Sequence, residues 1–217
     1  MYRALIPVKA LNEAKSRLAA HLTLQQREEL VLTMLSHVLR VLHNSDKLEY
    51  VSVVSPDRRA LEYAHLWGAY PRIEERQGHN PALEAAATRE LATGATALLT
   101  ISADLPLLQS SDVEGMIEKL EYHDVVLAPS QDETGTNALL VRPALVLPYV
   151  FGPGSLQRYQ EEAAKRNLSV ALHKTPGLSI DIDTIDDLEL FRRYEQEERA
   201  TCILCTIFAD RILAKCL

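Results

Sequence analysis

Short apolar runs alternating with amphipathic segments constrain this chain more than any single motif. The runs "YRALIPV", "YVSVVS", "ALLTIS", "DVVLAPS", "NALLVRP" and "LSVALHK" are β-branched or apolar over strand lengths and predict strands. Helical patterns fall between most of them. Thr23 and Gln26 have the spacing of a capping box, and Val31, Met34, Leu35, Val38 and Leu42 follow on one helical face. A second helix is predicted to open at Asn80 with Pro81 in its first turn, and a third at Ser111 with Glu114 as capping partner. Such alternation predicts an α/β fold whose mostly parallel sheet is covered by helices on both faces. At 217 residues and 47% hydrophobic content, one domain can bury a sufficient core.

A formal net charge of -7 speaks against a nucleic-acid surface, which needs clustered Lys and Arg, and favours small-molecule partners. No run approaches the roughly 20 apolar residues of a membrane span, and the first residues lack a signal-peptide core, so a cytoplasmic protein without membrane contact is expected. The cysteines Cys202, Cys205 and Cys216 all sit at the end of the chain and cannot staple the domain. Around them, Ile203, Leu204, Ile207, Phe208 and Ile212 recur at helical spacing. The division expected is a domain over 1–194 and an amphipathic helical tail over 195–217, docked on its own domain or on a neighbouring subunit, which leaves a homodimer open.

In a parallel sheet, ligands bind beyond the carboxyl ends of the strands. Asp104 stands there, directly after "ALLTIS", with Pro106 to stiffen the turn. An aspartate before proline often only caps a turn. A second carboxylate group argues for more. In "LSIDIDTIDDLELF", Asp181 and Asp183 occupy alternate positions of a predicted short strand and point the same way. Like charges so placed repel unless a cation or a lysine lies between them. Magnesium, which takes one or two carboxylates and completes its shell with water and phosphate, suits Asp104 with Asp181 or Asp183. Asp186 and Asp187 instead follow the helix cap Thr184 and are read as structural.

Basic residues in the first loop, Lys9, Lys15 and Arg17, suit a nucleotide triphosphate, although a solvated charged loop reads the same way. Neither a Walker phosphate loop nor a G-x-G-x-x-G fingerprint occurs. In "FGPGS", Gly152 and Gly154 allow a tight turn into a helix opened by Ser155, whose first N–H groups suit a phosphate or carboxylate. Thr136 and Asn137 add short polar groups before a strand. Each of these two segments alone is also an ordinary turn.

The stretches "IPVKALNEAKSRL", "SPD", "HNPALEAA", "SADLPLL", "APS" with "GTNALL", "FGPGS" and "DIDTIDDL", taken in order from Tyr2 to about Tyr194, resemble the phosphoenolpyruvate or 2-phospho-L-lactate guanylyltransferases of coenzyme F-420 biosynthesis. The resemblance implies a nucleotidyltransferase fold, a three-layer α/β/α sandwich with a mostly parallel mixed sheet, similar to the enzyme that attaches GMP to molybdopterin. It implies transfer of GMP from GTP to a small phosphocarboxylic acid with release of pyrophosphate. Asp104, Asp181 and Asp183 would hold Mg2+, and Asp104, Lys15 and Arg17 would serve catalysis. Pro7, Lys9, Lys15, Ser55, Asp57 and Asn80 match positions near the nucleotide, and Thr136, Gly152 and Ser155 match the acceptor site. Tyr159 stands where the family pattern has a histidine. A molybdenum-cofactor or sugar-phosphate nucleotidyltransferase would share the sheet but show a glycine-rich first loop. A non-catalytic nucleotide-binding protein would lack the aspartates.

Overall fold

The computed structural model describes residues 1–198. Its sheet is built from β1 (Tyr2–Pro7), β2 (Leu48–Ser55), β3 (Tyr70–Ile73), β4 (Ala97–Ile101), β5 (Val125–Pro129), β6 (Thr136–Val141) and β7 (Val170–Leu172). The spatial order is β3-β2-β1-β4-β6-β5-β7. All neighbours pair in parallel except β6, which runs antiparallel to both β4 and β5. The helices are α1 (Leu24–His43), α2 (Arg58–Leu66), α3 (His79–Ala92), α4 (Ser110–Leu120), α5 (Ser155–Lys165), the short α6 (Pro176–Ser179) and α7 (Ile185–Glu198). This is the mostly parallel sheet between helices that the alternation predicts, and antiparallel β6 makes it the mixed sheet that the resemblance implies.

The central strands are buried along their length, and their side chains, pointing alternately to the two faces, feed two cores. Ala4, Ile6, Val51, Val53, Leu99 and Ile101 face α1, α2 and α4 through Leu35, Val38, Ala60, Leu61, Val113 and Met116. Leu5, Val54, Leu98, Leu127 and Leu139 face the other way, onto Leu83 and Ala87 of α3 and Leu156 and Tyr159 of α5. A third cluster joins Leu30 and Met34 of α1 to Ile182, Leu188 and Phe191, which seats the "DIDT" segment against the domain. Burying such side chains supplies about 25 cal/mol per Å² of apolar surface and is the main force holding the layers together.

Several local expectations are corrected. The helix expected to open at Asn80 is α3, which begins at His79 with Gly78 as N-cap, at φ +103, so Asn80 lies inside its first turn. The helix expected to open at Ser111 is α4, which begins at Ser110, and Asp112, not Glu114, accepts the Gln109 N–H at 2.8 Å. Asp112 is buried, which gives that cap more weight than an exposed glutamate would have. Gly177 is required beside it: a Cβ there would lie 2.0 Å from Asp112 Oδ2. The segment carrying Asp181 and Asp183 is extended but is no strand. Its backbone meets the Asp104 turn through one hydrogen bond, Ile182 N–H to Asp104 O at 3.3 Å. Strand β3 was not foreseen, because "YPRI" carries a proline and pairs only with β2 at the sheet edge.

The Thr23–Gln26 capping box forms as predicted, and Thr184 and Asp187 close a reciprocal cap on α7. That helix runs through Tyr194 to Glu198, across the expected division at 194. Cys202, Cys205, Cys216 and the rest of the expected tail over 199–217 lie outside the described residues. No described helix is long and apolar enough to cross a membrane.

Away from the carboxyl end of the sheet, Glu90 of α3 is fully buried. Its carboxylate accepts from Tyr50 Oη at 2.6 Å, Ser52 Oγ at 2.7 Å and Arg72 at 3.1 Å. Arg3, stacked on Tyr50, adds a fourth contact at 3.3 Å. Burial works against the Glu90 charge, and the two hydroxyls with Arg72 outweigh it, holding the carboxyl below its ordinary pKa.

Candidate active site

Strand order reverses at β1, whose sequence successor β2 lies on one side and β4 on the other, and a crevice opens there by topology. The first loop, the Ser102–Asp104 turn, the start of β6, the Phe151–Gly152 turn and the "DID" segment line a cleft of about 530 Å³, a volume suited to a small ligand. Of the residues predicted from sequence, Pro7, Lys9, Lys15, Arg17, Asp104, Thr136, Gly152, Asp181 and Asp183 line it. Ser55, Asp57, Asn80 and Ser155 lie behind the lining.

These four still shape the wall. Asp57 caps α2 through Arg59 N–H and also accepts Leu11 N–H, both at 2.9 Å, so it fixes the first loop. Ser55 Oγ accepts Asp57 N–H at 3.0 Å. The Asn80 amide holds the Phe151 backbone in both directions, donating to its carbonyl at 3.1 Å and accepting its N–H at 2.9 Å. Ser155 N–H donates to Gly152 O at 3.0 Å, closing the turn into α5, with Gly154 at φ +71 as its left-handed cap.

The first loop delivers Lys15 by an unusual backbone. Its φ of 52 and ψ of 39 are left-handed, which costs a residue with a Cβ about 1–2 kcal/mol. Arg27 holds the preceding Ala14 carbonyl at 2.8 Å. From there Lys15 Nζ reaches between two acids, 2.5 Å from Asp104 Oδ2 and 2.7 Å from Asp183 Oδ1. A lysine between the carboxylates is therefore what the structure supplies. Burial opposes the Lys15 charge, yet these two acids raise its pKa above the ordinary lysine value. Burial likewise opposes the Asp183 charge, and Lys15 holds its carboxyl below normal. Asp181 accepts instead from the Asn137 amide at 3.0 Å, and burial together with the Asp104 charge pushes its carboxyl up to about 6.

Asp104, Asp181 and Asp183 each place one carboxylate oxygen within 4.8 Å of the others and form a group that can hold a metal ion. An all-oxygen donor set suits a hard divalent cation. Thr136 Oγ1, in the cleft lining, and Ser155 Oγ, behind it, are buried and have no hydrogen-bond partner, a costly condition for a hydroxyl unless a ligand completes it. The first turn of α5 joins the loop before β6 through Leu156 N–H to Thr134 O at 3.2 Å, so the two hydroxyls flank one joint.

His79 and Phe151 line the cleft as an edge-to-face pair, with ring centroids 5.8 Å apart, and were not singled out from sequence. Both stand in the quoted stretches "HNPALEAA" and "FGPGS", one residue from positions that were. Tyr159, which replaces the expected histidine, is buried outside the lining. Its Oη accepts Val150 N–H at 3.1 Å and its ring packs edge-on to Phe151, so it supports the glycine turn from beneath.

Comparison with known proteins agrees with this geometry. The family model described as guanylyl transferase CofC like matches residues 2–201, past the point where the motif resemblance was expected to end. A phosphoenolpyruvate guanylyltransferase from Sphaerobacter thermophilus is 38% identical over 186 residues, covering 86% of this chain and 90% of that protein. One from Rubrobacter xylanophilus is 42% identical over 186 residues, covering 85% of this chain and 90% of that protein. Among solved structures, a Desulfovibrio desulfuricans G20 protein described as a nucleotide-diphospho-sugar transferase superposes with a TM-score of 0.82. It is 16% identical and covers 99% of this chain and 97% of its own. At that identity the structural likeness carries the fold alone.

Proposed function

The chain belongs to the guanylyl transferase CofC-like family, and from that premise we propose that it joins GMP from GTP to phosphoenolpyruvate, releasing pyrophosphate, in coenzyme F-420 biosynthesis. It is a nucleotidyltransferase, and the acceptor class is a small phosphocarboxylic acid. The observation that carries the acceptor assignment is the pair of buried, unpartnered hydroxyls, Thr136 Oγ1 and Ser155 Oγ, the first in the lining of the cleft that also holds three carboxylates and the second just behind that lining.

The chemistry asks little of a general base. A phosphate oxygen of the acceptor is already anionic at neutral pH; it forms a bond to the α-phosphorus while the bond from that phosphorus to the pyrophosphate oxygen breaks. Position and charge are the difficult part. Thr136 and Ser155 donate to the acid and fix its direction, with the glycine turn at Gly152 leaving room beside them. Lys9, Lys15 and Arg17 line the nucleotide side and balance the polyphosphate charge. Asp104, Asp181 and Asp183 would hold Mg2+, which supplies positive charge against the phosphate oxygens when bound.

Charge-assisted hydrogen bonds of this kind are worth about 1.5–3 kcal/mol. Ser155→Ala and Thr136→Val are therefore expected to lower kcat/KM for the acid by about ten- to a hundredfold and to leave GTP binding nearly unchanged. Steady-state kinetics with each substrate varied in turn reads the split. Equal weakening toward GTP and the acid, or a lower melting temperature with unchanged kinetics, would place the acid elsewhere and reduce Ser155 to a residue of the helix start.

A further inference from the structure

Lys15 does something that a phosphate-binding lysine in a flexible loop would not do. Its ammonium is withdrawn from solvent, with 6% of the side chain exposed, and sits directly on two of the three carboxylates that can hold a metal. The placement is built in rather than incidental. The left-handed backbone at Lys15 aims the side chain, Arg27 grips the carbonyl just before it, and Asp57 anchors the loop at Leu11. Leu18 N–H donates to Lys15 O at 2.9 Å and fixes the loop on the other side.

Two cations that claim the same oxygens repel each other, and an ammonium already in contact with Asp104 Oδ2 and Asp183 Oδ1 lowers the affinity of those oxygens for a divalent ion. A nucleotide polyphosphate entering the cleft offers the ammonium another anionic partner, on the side where Lys9 and Arg17 also stand. We infer that Lys15 is an electrostatic latch on the carboxylate triad: it keeps Asp104 and Asp183 from a divalent cation until nucleotide phosphate draws the ammonium away, so that metal and nucleotide bind cooperatively. This rests on the nucleotidyl-transfer reading and adds the order in which the site fills. Coupling of this sort is reciprocal: the nucleotide tightens the metal by the factor with which the metal tightens the nucleotide.

The opposite role is also physically sensible, since a lysine that merely holds two carboxylates in line would strengthen the metal site. The sign of one measurement separates them. Calorimetric titration of the full chain with Mn2+ alone, no nucleotide present, is compared for wild type, Lys15→Met, Lys15→Gln and Lys15→Arg. The latch predicts that Lys15→Met and Lys15→Gln bind Mn2+ at least tenfold more tightly than wild type, whereas Lys15→Arg, which keeps the charge, stays weak. GTP affinity measured with and without Mn2+ should then show a smaller coupling factor in Lys15→Met than in wild type. Circular dichroism and melting temperature establish which variants are folded, and the two neutral variants serve as replicates of one another. Unchanged or weaker Mn2+ binding in folded neutral variants overturns the latch. A wild-type protein that binds no GTP with or without Mn2+ overturns the nucleotidyl-transfer reading instead, and the metal-only arm remains readable in that case.

Discussion

Asp104→Asn is expected to lower kcat by about a thousandfold, equivalent to about 4 kcal/mol of transition-state stabilisation, in a protein that still folds. Loss of the Asp104 charge weakens its hold on the buried Lys15 ammonium but also relieves its repulsion of Asp181, and the two effects oppose each other in stability. The Asp104 side chain is 23% exposed and accepts from Lys15 Nζ, a hydrogen bond that an amide oxygen can still accept. Its backbone carbonyl, the acceptor for Ile182 N–H, is untouched by the substitution. What the amide loses is the negative charge, and an amide is a far poorer partner for a hard divalent cation than a carboxylate. Turnover measured with saturating GTP and acid, beside a thermal melt, checks both halves. A folded Asp104→Asn protein with wild-type turnover would remove Asp104 from the chemistry.

The largest effect on stability is expected far from the cleft. Glu90→Ala should cost about 3–5 kcal/mol of unfolding free energy, the loss found when one member of a buried charge cluster is deleted and its partners stay behind. Arg3, 3% exposed, would keep Glu49 but lose its α3 carboxylate, and the Tyr50 and Ser52 hydroxyls would lose their acceptor. The cluster ties β1, β2 and β3 to α3, so the loss should appear as a lower denaturant midpoint with an unchanged slope. Urea unfolding followed by circular dichroism reads this directly. A change below about 1 kcal/mol would mean that the Glu90 cluster adds nothing to stability beyond what solvent would supply.

Glu90 also shows where the sequence stops being informative. Nothing in "ATRELA" marks one glutamate of an amphipathic helix as buried, because its partners lie tens of residues away and only the packed sheet brings them together. The aspartates of "DIDT" were legible for a different reason. Alternation puts both side chains on one side whether or not the segment pairs as a strand, so the prediction of a shared direction survived although the predicted strand did not form. Lys15 was legible as a cation near anions but not as the partner of Asp104 and Asp183, since its reach depends on a left-handed turn that no glycine announces. Asn80, Ser55 and Asp57 were read as close to the nucleotide, and the structure places them one layer back, holding the backbone of the residues that line the cleft. The strands of the sheet centre and the Thr23 cap were legible because they depend on local pattern alone. The edge strand β3 has little such pattern, with Tyr70 and Ile73 both exposed.

A cleft that transfers a guanylyl group from GTP to a phosphocarboxylic acid must yield the joined product. The direct measurement is incubation of the full chain with GTP and Mg2+ and, in separate reactions, phosphoenolpyruvate, 2-phospho-L-lactate and 3-phosphoglycerate, with products identified by mass. The expected product carries GMP joined through phosphate to phosphoenolpyruvate, forms in equal amount with pyrophosphate and is absent when Mg2+ is withheld. GTP that remains intact with every acid, or GMP that appears instead on a sugar phosphate supplied in its place, would contradict it.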